Sequence, residues 1–344
     1  MNPASLAPGS LVLCAQRSLH AQLGARRAGV TSSRETAWSS QPEGREQSLS
    51  LPGNEQRPKA AVVDHPAEPS DIRLIVSDMD GTLLDDDGKV PAAFWPLLGD
   101  LHRAGILFVP ASGRQYQTLH GIFGEHDGLI YIAENGTNVV QDGVSIDLEP
   151  VEPTIIAPIV DWVRTTAAAG ADLGLVVCGA RSAYIERGDA HFVSQVRQYY
   201  AAVEVVADVQ AAALDDVILK LAIYDPAFAE TRSGPALRGL GLPSEIVVSG
   251  QNWVDVMRQG ANKGRALERL QQQLGISRAQ TMAFGDYLND AEMLDAAGHS
   301  YAMANGHPSI LARAMNIAPP CSEAGVVRSI RAALPHLQGE PVSV

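Results

Sequence analysis

Short apolar runs alternate with helix-like segments from residue 71 onward, and this alternation restricts the fold more than any other feature of the sequence. Four apolar runs are typical of buried strands, at residues 72–76, 106–109, 129–132 and 281–284. Segments with helical periodicity lie beside them, at residues 92–104, 115–123, 264–274 and 290–297. Strands that alternate with helices form βαβ units. The sequence therefore predicts an α/β fold whose core is a doubly wound, mostly parallel, Rossmann-like sheet with helices on both faces.

Residues 151–250 show a different pattern, in which strand-like runs follow one another closely. Such spacing favours an antiparallel sheet with helices on one face. We therefore predict that this region is a second α/β domain inserted into the first. The core domain then consists of residues 71–150 and 251–335, and residues 336–344 form a tail.

Residues 1–70 differ from the rest by their high content of Ser, Pro, Gly and Gln and by a lack of apolar periodicity. We expect them to form a disordered N-terminal extension. Up to Arg34 this extension has basic residues and no acidic ones, a composition similar to that of organelle transit peptides. Two locations stay open: the cytoplasm, if the extension is merely an unstructured start, or an organelle, if it directs import.

The composition argues against several classes of protein. A formal net charge of −13 disfavours sequence-independent binding of nucleic acid and attraction to anionic membranes. The cysteines Cys14, Cys178 and Cys321 are too widely spaced for a disulfide framework or a cysteine-based zinc site, and they indicate a reducing, cytoplasmic environment. We therefore expect no nucleic-acid partner and no membrane partner, while the oligomeric state stays open.

An acidic pair directly follows the first predicted strand, in the sequence Asp78-Met79-Asp80-Gly81-Thr82. Ligands of open α/β sheets bind beyond the carboxyl ends of the strands, so this pair lies where a site is expected. If the alternation of the strand continues, both carboxylates point the same way and repel each other unless a cation lies between them. Oxygen ligands of this kind suit Mg²⁺ that also binds a substrate phosphate. A solvated acidic loop is the alternative.

Two further segments suit a phosphate group. Ser112, Gly113 and Arg114 follow the second predicted strand, and a hydroxyl with consecutive N–H groups binds phosphate oxygens well. Taken alone, Ser112 is explained more simply as the cap of the next helix. Lys263 lies in the first turn of a predicted helix, where a positive charge is unfavourable for the helix dipole. A phosphate to neutralise would explain this lysine, and an ordinary surface lysine is the alternative.

The segment 285–290 follows the strand predicted at residues 281–284. Asp286 would reach the same cation as the first acidic pair, while Asn289 and Asp290 either orient a phosphate or cap the next helix. In a doubly wound sheet such strand ends converge on one crevice. Together the segments supply what phosphoryl transfer requires: a carboxylate pair, a hydroxyl, a lysine and a further carboxylate.

The order DMDGT, ASGR, NKG and GDYLND resembles that of the haloacid dehalogenase-like hydrolase superfamily, specifically its Cof-type phosphatases. The resemblance covers about residues 71–335, and that subfamily inserts an α/β cap domain between the second and third motifs. It implies that Asp78 is the nucleophile that forms an aspartyl-phosphate and that Asp80 is the general acid and base. It also implies Mg²⁺ as cofactor, held by Asp78, by Asp80 through its main-chain carbonyl, and by Asp286.

The same resemblance implies roles for the other residues of these motifs. The phosphoryl group would be bound by Met79, Ser112, Gly113, Lys263 and Asn289. Supporting roles would fall to Thr82, Arg114 and Asp290. The expected function is a Mg²⁺-dependent phosphatase acting on a small phosphorylated metabolite, such as a sugar phosphate or a phosphorylated cofactor. Two alternatives are phosphoryl transfer of the sugar phosphomutase type and a regulator that binds a phosphorylated ligand without turnover.

Overall fold

A computed structural model describes residues 71–124, 126 and 128–337 of the 344-residue chain. The predicted disordered extension at 1–70 lies outside these residues, as do residues 338–344 of the predicted tail. The described residues form fourteen strands: β1 Leu74–Asp78, β2 Leu107–Ala111, β3 Ile130–Ala133, β4 Asn138–Gln141, β5 Val144–Leu148, β6 Gly174–Gly179, β7 Ala183–Ile185, β8 Val203–Val205, β9 Ile218–Tyr224, β10 Ser244–Gly250, β11 Trp253–Arg258, β12 Thr281–Gly285, β13 His299–Met303 and β14 Asn316–Ala318. They also form ten α-helices: α1 Phe94–Arg103, α2 Tyr116–Phe123, α3 Pro153–Ala168, α4 Ala190–Val196, α5 Val209–Ala212, α6 Gly234–Gly239, α7 Lys263–Leu274, α8 Ala291–Asp295, α9 Pro308–Leu311 and α10 Gly325–Ala333.

The first sheet has eight strands in the order β14-β13-β12-β1-β2-β3-β4-β5. Neighbouring strands run parallel from β14 to β3, and β4 and β5 add an antiparallel hairpin at the edge. The prediction of a doubly wound, mostly parallel sheet is confirmed. Because β1 lies between β12 and β2, the loops that follow these three strands emerge side by side at one edge of the sheet.

Apolar side chains bury both faces of this sheet, which explains why its strands read as continuous apolar runs. On one face, Ile75 and Phe108 pack with residues of α1, α2 and α10. On the other face, Leu74, Val76 and Val109 pack with residues of α7 and α8. Strand β1 continues two residues past the predicted end, through Ser77 to Asp78. A pattern of apolar residues identifies the interior of a strand but not a polar end that carries function.

The second sheet has six strands in the order β10-β11-β9-β6-β7-β8. The first four pairings are antiparallel, as predicted, but β7 and β8 run parallel because α4 connects them as a crossover. The expectation of helices on one face is wrong. Helix α3 packs on the face that carries Leu175 and Val177, whereas Phe192 of α4 packs on the opposite face against Val176 and Cys178.

The second-sheet region is defined here as β6 to β11 together with α3 to α6. Its last strand, β11, ends at Arg258, eight residues beyond the predicted domain boundary at 250. The division into a core domain and an inserted domain at those boundaries stays a prediction. Within the described part of the chain, no helix is both long enough and apolar enough to cross a bilayer.

Candidate active site

A cavity of about 500 Å³ opens beyond the carboxyl ends of β1, β2 and β12, and the second-sheet region forms its opposite wall. Seven of the eleven predicted site residues line it: Asp78, Asp80, Ser112, Gly113, Arg114, Asp286 and Asn289. The other four, Met79, Thr82, Lys263 and Asp290, are buried directly behind this lining. Segments that are more than 200 residues apart in sequence, such as those of Thr82 and Asp286 (204 residues apart), thus meet in one place.

Lys263 is fully buried at the start of α7, where its Nζ donates to Asp78 Oδ1 at 2.5 Å and to Asp290 Oδ1 at 2.7 Å. Asn262 fixes the helix start by accepting the N–H of Arg265 at 2.8 Å. Burial alone would lower the pKa of Lys263, but the carboxylates of Asp290 and Asp78 outweigh it and raise the pKa. The side chain therefore stays cationic, and its full burial rules out the alternative of an ordinary surface lysine.

Three carboxylates crowd around this one ammonium group. Asp78, Asp286 and Asp290 each offer an oxygen atom, and these atoms lie within 4.8 Å of one another. Burial, reinforced by the charge of Asp290, raises the pKa of Asp78 well above its usual range and that of Asp286 to about 7. A buried excess of negative charge of this size calls for a compensating cation.

Asp286 is held against the loop that follows β1. Thr82 Oγ1 donates to Asp286 Oδ1 at 3.1 Å. Gly81 has a φ of +77°, and a Cβ at this position would come within 2.3 Å of Asp286 Oδ2. Glycine is therefore required at position 81 for both the turn and the close approach of the carboxylate.

Asp290 uses both carboxylate oxygens within the protein. Its Oδ1 accepts from Lys263, while its Oδ2 accepts the backbone N–H groups of Asp286 at 2.9 Å and Tyr287 at 3.1 Å. Asp290 thereby fixes the loop after β12 and orients Lys263. This arrangement suits a supporting residue better than a metal ligand.

The donor set fits the implied magnesium ion. Asp78 and Asp286 offer hard carboxylate oxygens in a buried, negatively charged position, which is the chemistry that Mg²⁺ prefers. The carboxylate of Asp80 is directed elsewhere, to Arg114. The atom of Asp80 that remains for a metal is its main-chain carbonyl, which is also the atom that the resemblance implies.

Asp80 and Arg114 form a bidentate ion pair, with Nε–Oδ2 at 2.7 Å and Nη2–Oδ1 at 2.6 Å. Strand β1 ends at Asp78, and residues Met79–Leu83 form an irregular turn in which Asp80 (φ −76°, ψ 120°) and Gly81 (φ +77°) depart from helical backbone angles, so the regular strand does not continue to Asp80. The two carboxylates have different partners, Lys263 for Asp78 and Arg114 for Asp80, and both residues line the same cavity, as expected for side chains that serve one site. The Met79 side chain is buried in the core, which leaves only its backbone near the cavity.

Ser112 and Asn289 present polar groups to the cavity and are each held by one neighbour. Ser112 Oγ accepts the N–H of Arg114 at 3.1 Å. Asn289 Nδ2 donates to Asn135 Oδ1 at 3.0 Å. The alternative reading of Ser112 as a helix cap is wrong, because Gln115 occupies the N-cap position of α2.

Four buried polar residues at the junction of the two sheets were missed by the sequence reading: Glu134, Asn135, Lys220 and Asp255. Lys220 interrupts the apolar run of β9. Because a lysine is rarely fully buried without a charged partner, it indicates a buried ion pair in this strand. Glu134 and Asn135 directly follow β3, at the same sheet edge as the predicted motifs. That position was a second signal.

Comparisons with known proteins agree with this architecture. The sequence model of the family described as haloacid dehalogenase-like hydrolase matches residues 75–330. The chain is 30% identical over 270 residues to 5-amino-6-(5-phospho-D-ribitylamino)uracil phosphatase YbjI of Escherichia coli, a match that covers 77% of this chain and 97% of that protein. It is 31% identical over 283 residues to HMP-PP phosphatase of Cronobacter sakazakii, covering 78% of this chain and 99% of that protein.

The fold is also similar to solved structures. The crystal structure of SMU.1108c from Streptococcus mutans matches with a TM-score of 0.70 and 27% sequence identity. This match covers 77% of the present chain and 99% of that one. The family match at residues 75–330 includes all the residues that line the cavity.

Proposed function

This chain belongs to the haloacid dehalogenase-like hydrolases and is a phosphatase, and we propose that it hydrolyses a small phosphorylated metabolite through an aspartyl-phosphate on Asp78 with Mg²⁺ as cofactor. The observation that carries this proposal is the convergence of Asp78, Asp286 and Lys263 at the floor of one cavity. A nucleophile, a metal-binding carboxylate and a buried cation are the parts that phosphoryl transfer needs.

Asp78 is proposed as the nucleophile. Its Oδ1 accepts from Lys263, which leaves Oδ2 to attack phosphorus and displace the alcohol oxygen of the ester. Water then attacks the phosphorus of the aspartyl-phosphate, which releases phosphate and restores the carboxylate. Throughout both steps Lys263 keeps its proton and offsets the negative charge that gathers around the phosphoryl group.

Asp80 is proposed to transfer the protons. In the first step it gives a proton to the departing alcohol oxygen, and in the second it takes one from the attacking water. The two N–H donors of Arg114 fix the direction in which the carboxylate of Asp80 faces. An acid held in one orientation is effective because the proton need travel only a hydrogen-bond length.

The remaining predicted residues hold the ester and the metal. Ser112, Gly113 and Asn289 line the cavity and would donate to phosphoryl oxygens, together with Lys263. Asp78, Asp286 and the main-chain carbonyl of Asp80 would hold Mg²⁺, which when bound neutralises charge on the phosphoryl oxygens. Thr82 and Asp290 support Asp286 from behind.

The opposite wall of the cavity suggests the chemical class of the alcohol. Tyr199 and Trp253 of the second-sheet region lie there, with ring centroids 5.6 Å apart. The described lining contains one arginine and one lysine, Arg114 and Lys220. Each is already paired with carboxylates of the protein, so neither is free to bind a second negative charge. We therefore propose an uncharged alcohol group with a ring, either a sugar or the heterocycle of a cofactor or its precursor. The names of the two phosphatases compared above agree with a small phosphorylated substrate.

A panel of phosphate esters tests this proposal. We expect Mg²⁺-dependent release of phosphate from ring-bearing monophosphates, and loss of that activity when the metal is chelated. The second-sheet region would act as the cap that covers the bound ester. A preference for a bisphosphate would contradict the uncharged alcohol, and metal-independent turnover would contradict the role of Mg²⁺. The cytoplasmic location stays a prediction.

A further inference from the structure

Lys220 joins the two sheets through a buried ammonium group. It lies on β9 of the second sheet and is 1% exposed. Its Nζ is 2.5 Å from the carbonyl oxygen of Gly113, 2.9 Å from Glu134 Oε2 and 3.2 Å from Asp255 Oδ2. Gly113 O and Asp255 Oδ2 accept hydrogen bonds from Nζ, and Glu134 forms a buried ion pair with it, so oxygen atoms of the protein already engage this ammonium group. It lines the cavity without being available to bind there.

One series of hydrogen bonds runs from Lys220 to Ser112. Lys220 donates to the carbonyl of the Gly113–Arg114 peptide, and the N–H of that same peptide donates to Ser112 Oγ at 3.1 Å. A peptide is planar, so fixing its carbonyl also fixes the direction of its N–H. Because Ser112 Oγ accepts the N–H of Arg114, its own hydroxyl proton remains free to donate toward the cavity.

A second series of hydrogen bonds runs from Lys220 to Asn289. Asp255 Oδ2, which accepts from Lys220, also accepts from Asn135 Nδ2, and Asn135 Oδ1 in turn accepts from Asn289. Asn135 has a φ of +56°, in the left-handed region that residues other than glycine seldom adopt, although asparagine does so more readily than most. The contacts on both sides of its amide hold Asn135 in this conformation.

The buried charges of Lys220, Glu134 and Asp255 explain why the two sheets stay in contact at this junction. Burial alone would lower the pKa of Lys220, but the carboxylates of Asp255 and Glu134 outweigh it and raise the pKa. Burial raises the pKa of Glu134, partly offset by Lys220. If the second-sheet region moved away, the lysine would leave Glu134 without its ion-pair partner.

We propose that Lys220 is a positioning residue, which uses docking of the second-sheet region to align Ser112 and Asn289 for the phosphoryl group. This inference rests on the proposed phosphatase function, because it assumes that these two side chains bind the phosphoryl oxygens. Lys220 acts through Gly113 directly and through Asp255 and Asn135 indirectly. The enzyme would thus assemble its phosphoryl site completely only when the cap is closed.

The substitution Lys220→Met tests this, since methionine keeps the length of the side chain and removes its donors and charge. We expect kcat to fall about 10- to 100-fold, the loss typical of a small misplacement of reacting groups. The inhibition constant for inorganic phosphate should rise at the same time. Both are measured per folded molecule, with the folded fraction taken from urea unfolding.

Two control variants separate positioning from general weakening. Arg164→Met removes a cation that has two carboxylate partners, Glu186 and Asp208, but lies wholly within the second-sheet region. Thr118→Val removes two hydrogen bonds between α2 and the second-sheet region, one donated to the carbonyl of Tyr199 and one accepted from the N–H of Ala201, and neither involves Gly113. We expect kcat within twofold of the wild type for Arg164→Met, and a smaller loss for Thr118→Val than for Lys220→Met.

A second variant covers the case in which Lys220→Met does not fold. Asp255→Asn keeps the shape of the side chain and removes its charge, and it should also lower kcat and weaken inhibition by phosphate. If the folded variants at 220 and 255 keep the wild-type kcat and the wild-type inhibition constant, the positioning role is wrong. The phosphatase proposal fails separately, if Asp78→Asn retains activity.

Discussion

The guanidinium of Arg114 donates to both carboxylate oxygens of Asp80 and, through its third nitrogen, to the carbonyl of Gln198 at 2.6 Å. Gln198 follows α4, in the second-sheet region, so one side chain connects that region to the proposed general acid. The ring of Tyr199 lies 5.2 Å from the guanidinium carbon. Arg114 therefore orients Asp80 most fully when the second-sheet region is docked.

Replacing Arg114 by lysine should lower kcat about tenfold while changing KM less. Lysine keeps the charge but has no planar fork, so Asp80 loses its fixed orientation. Steady-state kinetics on an aryl phosphate measure the effect. Arg313→Lys is the matched control, because Arg313 also donates through Nε and Nη2 to one carboxylate, that of Asp295, on the surface. An equal loss in both variants would contradict the role of Arg114.

Gly81→Ala should abolish most of the activity. Alanine is strained at a φ of +77°, and its Cβ would displace the carboxylate of Asp286. Gly88→Ala is the matched control, since Gly88 has a similar φ of +71° with open space around it. The backbone cost of about 1–3 kcal/mol is common to both variants, so activity is compared per folded molecule, and the loss beyond that of Gly88→Ala reports the displacement of Asp286. Activity retained by Gly81→Ala would show that the position of Asp286 is unimportant.

The stability of the metal-free protein should decrease as the pH rises from about 4 to about 7. Burial raises the pKa of Asp286 to about 7 in the folded chain, so between these values the folded state binds more protons than the unfolded state. The stabilisation from this group is complete below its unfolded pKa and is lost as the pH rises through the folded value. One such group gives a slope of at most about 1.4 kcal/mol per pH unit.

Urea unfolding with a chelator at several pH values measures this slope, and Asp286→Asn should reduce it. Added Mg²⁺ should stabilise the protein more at pH 8 than at pH 5, because ligands must be deprotonated to bind a metal. Stabilisation by Mg²⁺ that is equal at both pH values would contradict the proposed ligand set. Stabilisation that persists in full in Asp286→Asn would contradict it as well.

The sequence predicted which residues meet on the proposed catalytic side of the cavity, because they follow the strands of one parallel sheet. Asp78, Ser112 and Asp286 each come after an apolar run, and the topology of such a sheet brings strand ends together. Lys263 was identified by its unfavourable position in the first turn of a helix. In each case a local pattern was combined with one general property of the fold.

The side of the cavity formed by the second sheet was not predicted, and the reason is physical. Lys220 and Asp255 meet Glu134 only because two sheets pack together, and no local period encodes the angle between sheets. The parallel pairing of β7 with β8 was missed for a similar reason, since it depends on the crossover through α4. The pairing of Asp80 with Arg114 was not predicted, because it joins the loops that follow two different strands.

The hydrolysis of an aryl phosphate by Asp78→Asn, in the presence of Mg²⁺, is the most direct test of the proposed chemistry. Asparagine keeps the shape of the side chain and an oxygen for Lys263, but its amide is not a nucleophile. We predict a rate at least about 10³-fold below that of the wild type, with a nearly unchanged urea midpoint. A folded Asp78→Asn enzyme that retains a substantial part of the wild-type rate would contradict an aspartyl-phosphate at this position.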